Sequence, residues 1–186
     1  MQKQNKWNEK YRNTCAPGEP AELLHNFMQL LKGGKALDVG AGTGSNSVFL
    51  AHHGFSVDAV DISSVAINQL SRFAENNRLA ITAIEADLTN YHIQENTYDV
   101  IVNFYYLERR IIPQLKQGLK KEGFIFFETY TEEQRNFGGI SNPDYLLRPN
   151  ELLFSFLDFF IVFYHERIDA QLQHKKAIAS LIAQKV

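Results

Sequence analysis

The sequence predicts an α/β protein built on a mostly parallel sheet. Residues 36–54, ALDVGAGTGSNSVFLAHHG, read as a buried strand, a glycine loop and the helix that follows it. Beyond them, strand-like apolar runs alternate with stretches of helical spacing, the pattern of strand–helix–strand units. At the end, two strand-like runs, residues 158–168 and 173–184, follow one another without a helix, as in an antiparallel hairpin.

Each element has its own signal. Residues 1–19 are polar and end in the turn Ala16-Pro17-Gly18-Glu19. Trp7 and Tyr11 lie four apart and share a face on a helix. They either pin that helix to the domain or make it a lid, and the two roles are compatible. Residues 20–32 read as a helix, with Leu23, Leu24, Phe27, Leu30 and Leu31 at helical spacing and Pro20 in the first turn. Gly33-Gly34 stop it. The helix after the glycine loop runs to about His53, and Gly54 closes it. Phe55–Asp61 is the second strand, and Asp58 in its middle reads as solvent-facing. Ser64–Asn77 is a helix with Val65, Ile67, Leu70 and Phe73 on its apolar side; Ser63 and Ser64 suit its N-cap. Residues 80–85 are the third strand. Tyr98–Phe104 is a fourth, with the unbroken apolar run of a strand buried on both faces. Residues 110–121 read as a helix, with Pro113 in its first turn. Residues 123–130 form the fifth strand. Residues 131–149 are a long polar loop, a length usually reserved for function. Residues 150–157 are a short helix before the hairpin.

The 186 residues suit one domain, 1–186, with a full hydrophobic core. A formal net charge of -2 offers no basic field for nucleic acid or an anionic membrane surface. No apolar stretch is long enough to span a membrane. The single cysteine, Cys15, rules out an internal disulfide, and the polar N-terminus lacks a signal-peptide stretch. A cytoplasmic protein is expected. The six histidines are dispersed and suggest no metal site.

The loop Asp38-Val39-Gly40-Ala41-Gly42-Thr43-Gly44 carries the chemistry. Glycine takes positive φ and lets a ligand approach the backbone closely. The next helix points unpaired N–H groups back at the loop. The dinucleotide fingerprint G-x-G-x-x-G/A is not met: from Gly40 its last position is Ser45, and from Gly42 it is Ser47. An acid ahead of the first glycine disfavours a pyrophosphate and favours an ammonium group. S-adenosylmethionine carries one. Asp61 ends the second strand 17 residues after Gly44, where an acid accepts from ribose hydroxyls.

This loop resembles motif I of the class I S-adenosylmethionine-dependent methyltransferases. The resemblance implies their Rossmann-like seven-stranded sheet, ordered 3-2-1-4-5-7-6, with the last strand antiparallel and helices on both faces. It implies a cofactor site formed by Asp38, Gly40, Ala41, Gly42, Gly44, Asp61 and Ile62. Asp87 and Leu88 match the adenine-contacting position, and Asn103 lies at the edge beside the sulfonium. Trp7, Tyr11 and Arg12 match the Trp-x-x-x-Tyr segment that precedes motif I in small methyltransferases, which makes residues 1–19 a lid-like segment. Tyr106-Leu107-Glu108-Arg109, Ile111-Ile112-Pro113, Phe127-Glu128-Thr129-Tyr130 and residues 142–152 look like the small bacterial tellurite-resistance-type enzymes. In that group a histidine often precedes the arginine, where this chain has Glu108.

The expected reaction is methyl transfer to a small-molecule acceptor, with residues 131–149 as an acceptor-site loop. Selenium or tellurium oxyanions and thiolates need no base at neutral pH; amines and hydroxyls need one only where they must lose a proton. Tyr105, Tyr106, Glu128 and Tyr130 are the catalytic candidates. Arg109, Arg135, Tyr145 and Arg148 are the candidates for holding an anionic acceptor. Two other readings remain: a silent cofactor-binding module acting as sensor or partner, and a nicotinamide oxidoreductase, which the glycine spacing disfavours. A monomer or homodimer without nucleic acid is expected.

Overall fold

The computed structural model describes residues 2–14, 17–140, 142–169 and 175–186. Its framework is one seven-stranded sheet ordered β3-β2-β1-β4-β5-β7-β6. In chain order the elements are α1 (Gln2–Tyr11), α2 (Glu22–Asn26), β1 (Gly34–Val39), α3 (Ser45–His52), β2 (Phe55–Asp61), α4 (Ser64–Asn77) and β3 (Ile81–Glu85). There follow β4 (Tyr98–Phe104), α5 (Ile112–Gly118), β5 (Leu119–Tyr130), α6 (Glu151–Ser155), β6 (Phe160–Asp169) and β7 (Lys176–Gln184). β1 through β5 pair in parallel, and β7 runs antiparallel to both β5 and β6. This is the order and the antiparallel last strand that the sequence implied.

Strand alternation divides the core in two. Leu37, Val39, Ile101, Ile125 and Phe127 point to the face covered by Ile112 and Leu115 of α5 and Leu152 of α6. Ala36, Val57, Val100, Val102 and Phe126 point to the face covered by Leu23 and Leu24 of α2 and Leu50 of α3. β1 lies between β2 and β4, so the chain's direction of travel across the sheet reverses there. Ligands of open α/β sheets bind at that reversal, outside the carboxyl ends of the strands.

Several expected boundaries move. The helix read over residues 20–32 is five residues of α2 followed by a 3-10 turn, Met28–Leu30. Phe27 leaves helical geometry and packs its ring 5.1 Å from Phe163, a tertiary contact that overrides the local spacing. The helix read over 110–121 opens with a 3-10 turn, Arg109–Ile111, and ends at Gly118. A side chain at Gly118 would strike Ile93, and Leu119 is already paired with Tyr98 as the start of β5. Asp58 is not solvent-facing: it pairs with Lys35 at 2.9 Å and accepts from the Tyr98 hydroxyl at 3.0 Å. The second hairpin strand begins at Lys176; Gln173 and the turn lie outside the described residues.

Gly44 shows what positions the loop. It takes φ 88°, and a Cβ there would fall inside contact distance of the Leu70 methyls on α4. Gly44→Ala should therefore lower stability by about 1–3 kcal/mol, from backbone strain plus overpacking. Urea denaturation of the two proteins measures it.

Candidate functional site

The loop after β1 leans on the end of β2. Gly40 N–H and Ala41 N–H both donate to the Val60 carbonyl, at 2.9 and 3.1 Å. Gly40, Gly42 and Gly44 all take positive φ. Asp61, 7% exposed, binds the loop through its carboxylate: Oδ2 accepts from Gly42 N–H at 2.8 Å. Its Oδ1 accepts from Ser63 N–H, also at 2.8 Å. Burial raises the Asp61 pKa, while these backbone donors and Lys10 oppose the rise. Each carboxylate oxygen keeps a further lone pair for a ligand. Ile62, half-buried, adds its own N–H to the donors around Asp61.

Asp38 sits deeper, at 1% exposure. Ser47 Oγ donates to Oδ2 at 2.6 Å, and the Ser47 N–H adds a backbone donor. Desolvation pushes its pKa up to about 7, and the Asp61 charge adds to the rise. Asn103, at the end of β4, is buried with neither its amide oxygen nor its amide nitrogen hydrogen-bonded. A buried amide lacking both partners is costly, and a ligand with a donor and an acceptor would satisfy it.

Two aromatics close over the glycines. A Cβ on Gly40 would stand 3.0 Å from Tyr106 Cβ, and one on Gly42 would stand 2.6 Å from the Tyr11 hydroxyl. Tyr11 belongs to α1, and its ring stacks on Trp7 with centroids 6.1 Å apart. Lys10 Nζ lies 4.5 Å from the Trp7 centroid. What docks α1 is polar. Asn8 Oδ1 accepts from Ser63 Oγ at 2.8 Å, and Gln69 Nε2 donates to the Tyr11 carbonyl. Ser63 also caps α4 by accepting from Ala66 N–H. Asn8, Ser47 and Ser63 were not among the sequence-derived site residues; only Ser63 had a signal, as an N-cap. Arg12 is exposed at the end of α1. Asp87 follows β3, and its Oδ1 accepts from the N–H and hydroxyl of Thr89, which hold its pKa below the ordinary range. Leu88 is buried beneath it.

A second polar group lies at the ends of β4 and β5. The Tyr105 hydroxyl donates to Glu128 Oε1 at 2.8 Å, and Ser180 Oγ donates to Oε2 at 2.6 Å. The Tyr130 ring is 5.1 Å from that of Tyr105. Three of the four catalytic candidates therefore converge here, while Tyr106 packs on Gly40.

Of the anion-holding candidates, Arg109 and Tyr145 line one cavity, which Arg135 and Arg148 do not join. The Arg109 guanidinium donates to both Glu151 oxygens and to the carbonyls of Asp144 and Leu146. It is spent on fastening the loop against α6. That loop is pinned further by the Thr131–Leu147 bridge and the buried Leu146 and Leu147. Arg135, Tyr145 and Arg148 are exposed along it. Tyr145 and Arg109, with Lys3, Glu108 and Arg110, line that cavity, of about 370 Å³. Among the described residues no cluster of His, Cys, Asp and Glu is placed to hold a metal ion. Among them, too, no helix is long and apolar enough to cross a membrane.

Comparison with known proteins agrees with this fold. The family model described as tellurite resistance protein TehB matches residues 1–129. A probable S-adenosyl-L-methionine-dependent methyltransferase TehB of Haemophilus influenzae is 30% identical over 122 residues, 64% of this chain and 41% of the relative. A ubiquinone biosynthesis O-methyltransferase of Coxiella burnetii is 34% identical over 124 residues, 63% of this chain and 52% of the relative. The chain thus spans about half the length of the curated relatives it matches. The crystal structure of TehB from Haemophilus influenzae superposes with a TM-score of 0.78 at 24% identity, covering 99% of this chain and 67% of that one.

The Asp38 environment makes a stability prediction. Its folded pKa of about 7 lies above the ordinary 3.8. Below pH 4 the group is protonated in both states and costs nothing. Between pH 4 and 7 the unfolded chain gives up the proton first, so stability falls, and above 7 the full cost is present. Asp38→Asn should raise the melting temperature at pH 8, by about 2–4 kcal/mol of stability, and leave it near wild type at pH 4. Thermal melts across that range test it.

Proposed function

The chain belongs to the TehB tellurite-resistance family of class I S-adenosylmethionine-dependent methyltransferases, and we propose that it moves the methyl group of S-adenosylmethionine onto a small-molecule acceptor, a thiol or an anionic metalloid species. The observation that carries this reading is the tie between Gly42 N–H and Asp61 at the reversal point of the sheet. It sets a backbone cradle next to an acid with lone pairs to spare.

The residues fit the cofactor. Asp61 offers acceptors to ribose hydroxyls, and Asp87 offers one to an exocyclic amine. Asp38 is an acid whose ionised form lacks a charged partner among its hydrogen bonds, and an ammonium group supplies one. Asn103 has an unmet donor and an unmet acceptor. Trp7 and Tyr11 cover the loop. When bound, S-adenosylmethionine supplies an electrophilic methyl group on a sulfonium. The protein's work is then to hold the acceptor in line with it and to exclude water, an effect that supplies roughly 7–11 kcal/mol. Tyr105 and Tyr130 form the wall where the acceptor enters. In this reading one domain provides both halves of the site.

Asp61 gives the test. Removing two charge-assisted acceptor positions costs at least about 2 kcal/mol, or roughly thirtyfold in affinity. Trp7 is the chain's single tryptophan and stacks on Tyr11, which approaches Gly42, so its emission should report binding. Asp61→Ala should weaken S-adenosylhomocysteine by thirtyfold or more in such a titration. Unchanged affinity would remove Asp61 from the cofactor site.

A further inference from the structure

Glu128 is 5% exposed, on a strand whose neighbours Phe126 and Phe127 are wholly buried. A carboxylate there costs free energy that an apolar residue would not, unless its charge has partners. It has them on every side. Ser180 of β7 donates to Oε2, and Arg167 of β6 donates in turn to Ser180 Oγ at 2.9 Å. Arg167 Nη2 itself stands 3.8 Å from Oε2. The other oxygen, Oε1, faces Tyr105. The Tyr130 ring of β5 lies beside that of Tyr105, tilted by 41°, and Lys176 of β7 lies 5.0 Å from the Tyr105 centroid. His165 of β6 is the cross-strand partner of Ser180.

Tyr105 is the part of this cluster that meets solvent, at 39% exposure. It takes φ 59°, the left-handed region that a tyrosine rarely adopts. Its N–H donates to the Glu128 carbonyl at 2.8 Å while its hydroxyl donates to the Glu128 carboxylate. The same residue is thus fixed twice to the same partner. Backbone strain held in this way clusters at functional sites.

We propose that Tyr105 and Glu128 form the proton-accepting pair of the acceptor site, and that the acceptor is a group carrying a proton, a thiol, hydroxyl or amine, rather than a preformed oxyanion. The proposal rests on the methyltransferase reading and chooses between the acceptor classes that reading leaves. Tyr105 has one hydroxyl proton, and it is committed to Glu128. Toward an entering group its oxygen therefore presents only lone pairs. A protonated acceptor donates to them; an oxyanion finds no donor there and a buried carboxylate behind. Lys176, over the ring face, offsets charge but adds no donor at that oxygen. Glu128 is too deeply buried to touch the acceptor, so it works through Tyr105. Burial and the neighbouring carboxylate push the Tyr105 hydroxyl well above its ordinary pKa, so it passes a proton on rather than resting ionised.

The step balances. The bond from acceptor to methyl forms as the methyl–sulfur bond breaks, and its electron pair stays on sulfur. The acceptor's proton passes to the Tyr105 oxygen, and the proton Tyr105 held passes to Glu128. Tyrosine ends neutral, and the glutamic acid returns its proton to water after product leaves. Tyr105 is the catalytic residue and Glu128 the positioning residue behind it.

The test compares acceptors in wild type, Tyr105→Phe and Glu128→Gln, with labelled methyl transfer to 2-mercaptoethanol, catechol and tyramine, to thionitrobenzoate, which is already a thiolate at pH 7, and to tellurite. Both variants should lose roughly 100-fold with the protonated acceptors. That loss should exceed the loss with thionitrobenzoate at least tenfold. Equal losses on both acceptor kinds would overturn the pair, as would turnover of tellurite without any protonated acceptor, or no turnover of the panel. Calorimetry with S-adenosylhomocysteine accompanies each protein. Binding retained alongside those failures overturns the pair alone; no binding in wild type overturns the methyltransferase reading and the pair with it.

Discussion

The hydrogen bond from Gly42 N–H to Asp61 is the contact on which the site depends. It joins the loop after β1 to the end of β2, two segments that the parallel register brings side by side. The other Asp61 oxygen takes the Ser63 N–H, and Ser63 in turn caps α4 and holds Asn8 of α1. Loop, second strand, helix cap and the covering N-terminal helix thus hang on one buried carboxylate. Two backbone donors offset its burial without using up its capacity to accept. An acid built only for structure would have no need of that reserve.

Three acids at the carboxyl edge of the sheet point to the same face. Asp38 shares its face with Ala36, Asp61 with Val57 and Glu128 with Phe126, all on the side covered by α2 and α3. What differs is the compensation. Asp38 has a neutral hydroxyl, Asp61 has backbone N–H groups, and Glu128 has two hydroxyls backed by the Arg167 guanidinium. In the proposed reading each then has a different task. The least compensated acid is ready for a cation from the ligand. The middle one is ready for neutral hydroxyls. The most compensated one holds the Tyr105 hydroxyl.

Much of this was legible in the sequence. The limits of β2, β4 and α4 agree residue for residue with the reading, because their apolar runs and their caps are local signals. The glycine loop and Asp61 were legible because positive φ and a strand-ending acid leave a spacing. The failures have one cause. Phe27 packs on Phe163, and Gly118 packs on Ile93, so two helices end earlier than their spacing implies. Arg109 was recognisable as a fork for oxygen ligands, yet its oxygens are the carbonyls of Asp144 and Leu146 and the carboxylate of Glu151, which only folding brings near. Ser180 did carry a trace, a lone hydroxyl in the apolar run AIASLIA. Its meaning appears only once β7 lies against Glu128.

The central claim is that the loop from Asp38 to Gly44, tied to Asp61, is a cradle for S-adenosylmethionine and not for a dinucleotide. Calorimetric titration of the wild-type protein with S-adenosylhomocysteine, and separately with NAD, tests it most directly. The account predicts saturable heat with S-adenosylhomocysteine at one site per chain and none with NAD. Binding of NAD alone would contradict it, and the reading of the glycine loop would fall with it.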